Sequence, residues 1–213
     1  MLILQLFLVV VCAVTSSFSC SCMPLGNHPQ KQFCDADFAL LAYVKSKRTN
    51  AVMPNNPYPG IVYDAYTLTV RETFKGHSAF ESHRYAVVEL YTLPSFGSCA
   101  VNLAKGYYIL TGTFLGGNLY TKFCNLQKKW KDVTWKQLMG MRGEYNKGCG
   151  CSMGLCVYPK CRQLLPGCEG FHNNRNVNHV CREKYQQCSR NGATCAWVGR
   201  RCDQVSPLSF SLP

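Results

Sequence analysis

The chain has 213 residues, 23 Lys and Arg against 11 Asp and Glu, a formal net charge of +12, and 15 cysteines. Carboxylates are too sparse to point to a paired acid–base site, and beyond the first twenty residues no segment is long and apolar enough to span a bilayer. The expected product is therefore a soluble, basic, cysteine-rich protein rather than an enzyme or a membrane protein.

Residues 1–19, MLILQLFLVVVCAVTSSFS, carry no charged side chain and an apolar run from Leu2 to Val14 followed by small residues, so they read as a secretion signal without the usual basic start. Two cleavage positions fit, before Cys20 and before Val14. Cleavage before Cys20 leaves a mature chain beginning Cys20-Ser21-Cys22-Met23-Pro24, with a free α-amine beside the carbonyl of the same cysteine. Bridges at such a terminus fix a segment that would otherwise fray. Loss of the signal removes Cys12 and leaves fourteen cysteines, enough for seven disulfides in an oxidising compartment. Zinc is the alternative, because Cys149-Gly-Cys151 and Cys156-x4-Cys161 approach ligand spacings, but no histidine falls at finger spacing from them.

After a loop, Phe33 to Val44 (FCDADFALLAYV) reads as a short amphipathic helix, or a helix running into a strand, capped by Asp35 or Asp37. Lys45 to Gly60, polar and rich in Pro and Asn, reads as a long loop or hairpin tip. Strand-like runs follow at Ile61–Phe74, Arg84–Thr92, Cys99–Thr113 and Asn118–Cys124, the last after a Gly116-Gly117 turn. With the segment near Tyr43 they make about five antiparallel strands, a small closed barrel. Asp132 to Tyr145 reads as a helix capped by Asp132 or Thr134, with Trp135, Leu138 and Met139 inward. From Cys149 aliphatic residues thin out and eight of the fourteen cysteines follow, so this part depends on its bridges. The expected division is a signal at 1–19, a first domain at 20–149 and a disulfide-stapled domain at 150–213.

No His-Glu-x-x-His, Gly-x-Ser-x-Gly or Gly-rich phosphate loop occurs, and the five histidines lie in polar stretches expected at the surface. Lys and Arg are dispersed except at Lys128-Lys129-Trp130-Lys131 and Arg200-Arg201. Acidic polysaccharide of the extracellular matrix is an expected partner of such a charge, and nucleic acid is not. No Asn-x-Ser/Thr glycosylation site is present.

The order Cys20-x-Cys22-x-Pro24, Phe33-Cys34, Tyr91-Thr92-x-Pro94-Ser95 with Cys99, Phe123-Cys124, Gly148-Cys149-x-Cys151, Cys156-x4-Cys161 and Cys195-Ala196-Trp197 resembles the tissue inhibitors of metalloproteinases over essentially the whole mature length. The resemblance implies a mainly β fold with flanking helices, a five-stranded Greek-key barrel of the OB type, netrin-like, plus a small disulfide-rich C-terminal domain. It implies the bridges Cys20–Cys99, Cys22–Cys124, Cys34–Cys149, Cys151–Cys195, Cys156–Cys161 and Cys168–Cys188. Cys181 and Cys202 are additional to the family pattern, and pairing them follows by elimination.

The implied function is that of a secreted, monomeric inhibitor without a cofactor of its own that blocks zinc metalloendopeptidases of the matrix type. The Cys20 amine and carbonyl would chelate the protease's zinc. Ser21, Cys22, Met23 and Pro24 would lie in its cleft, joined by a second strip of Pro94, Ser95, Phe96, Gly97 and Ser98. The tail Gln204 to Pro213 has no acidic residue, so docking through an acidic tail is not carried over. The alternative is a non-inhibitory netrin-like module that binds matrix or a receptor and needs no free Cys20 amine.

Overall fold

The computed structural model describes Cys22, residues 28–76, 85–94, 99–153, Cys168 and residues 179–202. A short helix α1 (Pro29–Cys34) leads into strands β1 (Phe38–Ala51), β2 (Tyr63–Lys75), β3 (Val87–Thr92), β4 (Gly106–Leu115), β5 (Asn118–Tyr120) and β6 (Gln127–Lys129). Helix α2 (Trp135–Met139) follows, then helix α3 (His179–Tyr185) and a hairpin of β7 (Gln186–Asn191) and β8 (Thr194–Gly199).

The first six strands form one sheet in the order β1-β2-β3-β5-β4-β6, closed on itself by pairing of β1 with β4. β1 holds both partners because it is long and bulged: its register on β2 shifts at Ala39/Leu40, Leu41/Ala42, Val44/Ser46 and Arg48/Ala51. Such bulges bend a strand and increase its twist, which is what closure of a small barrel requires. The expected antiparallel barrel is correct except at one seam, where β3 and β5 run parallel through Leu90↔Leu119 and Tyr91↔Tyr120.

Alternation along β1 and β4 serves two cores. Phe38, Leu40, Ala42 and Val44 meet Tyr66, Leu68, Leu90 and Leu110 inside the barrel. Ala39 and Ile109, on the opposite face, pack with Phe33, Leu138, Met141 and Tyr145 under the flanking helices. Full burial of each large side chain contributes roughly 1.5–3 kcal/mol.

Phe33 to Val44, read as a short helix or a helix running into a strand, takes the second form: the helix Pro29–Cys34 ends there and the strand starts at Phe38. Four other expectations change. Lys45 to Ala51, read as loop, continues that strand: Ser46, Lys47 and Arg48 pair with Thr67, Tyr66 and Ala65. This half of β1 has β2 on one side only, and a lysine-rich polar edge discourages further pairing. Asn118–Tyr120 ends before the Cys124 expected at its close. The helix expected over Asp132–Tyr145 is regular only from Trp135 to Met139; a wider turn over Gly140–Glu144, with Gly143 at φ 139°, and a 3-10 turn over Tyr145–Gly148 complete it. Thr134 is its cap, with Gln137 closing a capping box. Trp135, expected inward, is 72% exposed, while Gln137 and Leu138 face in.

Candidate functional site

Because β3 and β5 run parallel, their C-terminal ends leave the barrel side by side, and Thr121 N–H donates to the Tyr91 carbonyl at 2.9 Å. The expected strip from Pro94 begins at this rim. Thr92 is buried and paired with Asp64; Leu93 and Pro94 follow on the surface side, where proline cannot donate to a further ladder.

The chain is described again at Cys99, which is disulfide-bonded to a partner outside the described residues. Two residues later Val101 and Leu103 enter the barrel core. The Tyr66 hydroxyl donates to the Val101 carbonyl at 2.8 Å and accepts from Leu103 N–H at 3.2 Å. Both bonds are buried, so this crossing is held from inside the barrel and the Cys99 sulfur hangs from a rigid base.

The second anchor stands where β5 ends. Cys124 sits in a turn closed by Asn125 N–H on the Lys122 carbonyl at 2.8 Å and by Lys122 N–H on Asn125 Oδ1 at 2.9 Å. Gln32 of α1 donates to the Cys124 carbonyl at 3.0 Å. Thr121 Oγ1 donates to the Thr111 carbonyl, and Thr111 Oγ1 accepts from Leu126 N–H, each at 2.9 Å. Cys22 is joined to this turn by the Cys22–Cys124 disulfide, with Cα atoms 5.5 Å apart. Of the expected site residues the structure thus describes Cys22 and Pro94. Cys20, Ser21, Met23, Pro24, Ser95, Phe96, Gly97 and Ser98 lie outside the described residues.

Beside this rim Tyr63 meets Tyr91 and Tyr120 edge-on, with ring centroids 6.4 and 6.2 Å apart. Burial, followed by the 2.6 Å hydrogen bond that Tyr91 donates to Glu89, pushes the Tyr91 phenol up to about 12, so it stays a neutral donor. The β1–β2 loop packs Met53 into the same cluster. Gly116 and Gly117 adopt the positive φ of a tight hairpin turn. A Cβ at Gly116 would lie 2.1 Å from the Asn55 carbonyl oxygen, so the loop rests directly on that turn. Asn118 Nδ2 donates to the Pro54 carbonyl at 2.6 Å. The loop presents Val52, Tyr58, Ile61 and Val62 to solvent, an apolar edge that its polar composition concealed.

The C-terminal hairpin docks on α1 and α2 through amides. Gln30 donates to the Cys188 carbonyl at 2.7 Å and accepts from Cys188 N–H at 2.6 Å, as a neighbouring strand would. Gly148 makes room for this contact, since its Cβ would lie 1.9 Å from the Cys188 oxygen. Thr134 and Gln137 donate to the carbonyls of Lys184 and Glu183. His28, expected at the surface, is buried here, its ring centroid 5.0 Å from that of Trp197. Its Nδ1 accepts from Gln30 N–H and caps α1. Burial lowers its pKa to about 4, so the imidazole is neutral.

Cys34–Cys149, Cys151–Cys195, Cys168–Cys188 and Cys181–Cys202 are the other disulfides among the described residues. The sulfurs of Cys151, Cys188 and Cys195 lie within 4.8 Å of one another, but each is already bonded to sulfur and offers no thiolate to a metal. The same holds for Cys149, one of the pair whose spacing resembled a zinc site. Cys156 and Cys161 lie outside the described residues. No described helix is long and apolar enough to cross a membrane.

A family model described as tissue inhibitor of metalloproteinase matches residues 18–197. The chain is 29% identical over 186 residues to a protein named metalloproteinase inhibitor 3 from Scyliorhinus torazame, covering 81% of each. It is 32% identical over 145 residues to metalloproteinase inhibitor 3 from Gallus gallus, covering 67% of this chain and 63% of that one. It is 27% identical over 188 residues to metalloproteinase inhibitor 2 from Oryctolagus cuniculus, covering 84% and 91% respectively.

Proposed function

The chain belongs to the tissue inhibitor of metalloproteinase family, and from that premise we propose that it is a secreted inhibitor of zinc metalloendopeptidases that occludes their active site with its N-terminus. The observation that carries the reading is the rim itself. Cys22 is tied to a hydrogen-bonded turn at Cys124, and Cys99 leads into a crossing pinned by Tyr66. Such a mount orders an N-terminal wedge before it meets a partner, which lowers the ordering cost of association.

On this reading the mature chain starts at Cys20, and Cys20 is bridged to Cys99. The Cys20 α-amine and carbonyl oxygen take the position that water holds on a catalytic zinc with three protein ligands. The amine must be neutral to do so, and its reference pKa of about 7.7–8.0 makes deprotonation easy near neutral pH. Ser21 faces the specificity pocket, and Pro24 keeps Met23 extended like a substrate. Pro94 to Ser98 and the edge of the β1–β2 loop extend the contact. The protein supplies no metal or cofactor of its own and acts by stoichiometric blockade.

The test pairs mass spectrometry of the mature N-terminus with inhibition of a matrix metalloprotease. A chain starting at Cys20 that fails to inhibit at micromolar concentration sinks the reading. One alanine added before Cys20 converts the amine to an amide; inhibition should weaken by roughly a hundredfold or more, equal to about 2.7 kcal/mol. Unchanged inhibition would rule out zinc chelation by the amine, whereas a mature chain that starts at Cys20 and does not inhibit leaves the rival, a netrin-like binding module, standing.

A further inference from the structure

Two of the bridges that staple the C-terminal region stand close enough to react with each other. β7 and β8 pair Cys188 with Trp197 and Arg190 with Cys195, and strand alternation sets these four side chains on one face of the hairpin. Cys188 is bonded to Cys168, and Cys195 to Cys151. The Sγ atoms of Cys151, Cys188 and Cys195 lie within 4.8 Å of one another, so each bridge offers a sulfur to the other. Neither Cys22–Cys124 nor Cys181–Cys202 contributes a sulfur to this group.

Access from solvent is unequal. Cys188, Cys168 and Cys151 are 0%, 2% and 5% exposed, whereas Cys195 is only partly buried. A thiolate arriving from outside therefore meets Cys195 first, and so narrow an opening suits a small molecule better than a protein dithiol. Arg190 stands beside this entrance. It is the cross-strand partner of Cys195, and its guanidinium lies 3.3 Å from the position a Cβ would take on Gly150, the neighbour of Cys151. A fixed cation there favours both the approaching thiolate and the one that leaves.

We propose that the Cys151–Cys195 and Cys168–Cys188 bridges form one thiol–disulfide exchange centre whose co-reactant is a small-molecule thiol. The incoming thiolate attacks Cys195 Sγ: a mixed disulfide forms there, the Cys151–Cys195 bond breaks, and Cys151 leaves as a thiolate. Cys151 then attacks Cys188 Sγ: a Cys151–Cys188 bond forms, the Cys168–Cys188 bond breaks, and Cys168 leaves as a thiolate that takes up the proton lost by the incoming thiol. Two disulfides and one thiol enter, and two disulfides and one thiol remain, so no oxidant or reductant is consumed. The second step needs no encounter, because its partners are already held together. It acts where the hairpin docks, since Gln30 clasps the N–H and carbonyl of Cys188. The exchange thus ties the seat of the C-terminal hairpin on α1 to the thiol content of the surroundings, and it stands independently of the inhibitory reading of the rim.

The test incubates the full mature chain with millimolar glutathione at about pH 8, close to the reference thiol pKa. Acid quenching and N-ethylmaleimide trap free thiols, and an unreduced digest made at acid pH is mapped by mass spectrometry. The expected early products are glutathione on Cys195, a Cys151–Cys188 linkage and N-ethylmaleimide on Cys168, with Cys181–Cys202 found only in its native pairing. N-ethylmaleimide on Cys151 beside an intact Cys168–Cys188 bridge would overturn the proposal. Native pairing throughout, or first opening at Cys168–Cys188, would do the same. A second arm needs no added thiol. In Cys168→Ala, checked for folding by near-UV circular dichroism, Cys188 loses its native partner, and the single unpaired thiol should be shared among Cys188, Cys151 and Cys195. A thiol confined to Cys188, with Cys151–Cys195 intact in every molecule, would show that the two bridges do not exchange.

Discussion

The barrel and the region from Cys149 onward are held by different forces. The barrel interior is built from Phe38, Leu40, Val44, Tyr66, Leu68, Leu90 and Leu110, with no cysteine among its buried cluster. In the C-terminal region the buried cluster is Cys151, Cys168 and Cys188 with Met153, so the half-cystines themselves are the core. Where aliphatic residues are scarce, covalent closure of loops replaces apolar burial. The bridge at Cys22 belongs to neither class, because it attaches the segment ahead of α1 to a barrel whose buried cluster contains no cysteine.

This contrast can be broken most directly at Phe38. Truncation to alanine should cost ~3–5 kcal/mol, read as a lower denaturant midpoint with all disulfides intact. A loss under about 1 kcal/mol would mean that the cystines, not the core, hold the barrel.

The docking surface between the regions should respond to acid. The His28 imidazole has a folded pKa of about 4 against an ordinary 6.5, chiefly through burial. The unfolded chain therefore binds the extra proton first. The stability linked to a neutral His28 is complete above pH 6.5, is lost as pH falls from there towards 4, and changes no further below that. The full loss is about 3 kcal/mol. Comparing urea unfolding at pH 7.5 and 4.5 for the wild type and His28→Asn, which keeps a capping acceptor without this titration, isolates the effect. Equal pH slopes in both proteins would remove His28 as its source.

A smaller effect is expected at Thr134→Ala. It removes the capping box of α2 and leaves the Lys184 carbonyl without its 2.7 Å donor, for a loss of about 1–2 kcal/mol. Faster amide exchange in Gln186–Asn191 than in β1 would show that the loss falls on docking rather than on the barrel.

Much of the architecture was legible in local pattern. Alternation marked β2, β-branched and aromatic runs marked β3 and β4, the Gly116-Gly117 pair marked the hairpin into β5, and Thr134 was one of two caps read for α2. The failures share a cause. The second half of β1 has a polar sequence because it is an edge, and its backbone is satisfied by β2 rather than by burial. β6 is three residues, too short for any period to register. Trp135 lies outward because Leu138 and Met141 are the residues of this segment that reach the core cluster. The polar stretch around His28 disguised a buried site, since its cover, Trp197, arrives from the far end of the chain.

For the candidate site, the sequence by itself determined the residue types: a Cys-Ser-Cys-x-Pro opening, a Pro94–Ser98 strip and a cysteine order specific enough to name a family. Its cysteine count also foretold a cross-linked protein, and the disulfides of the described residues are that framework. Only the tertiary structure decided that the Pro94 strip starts, and the Cys22 bridge ends, at one rim. That depends on the parallel pairing of β3 with β5, a contact with no local signature because its energy comes from backbone bonds between distant segments.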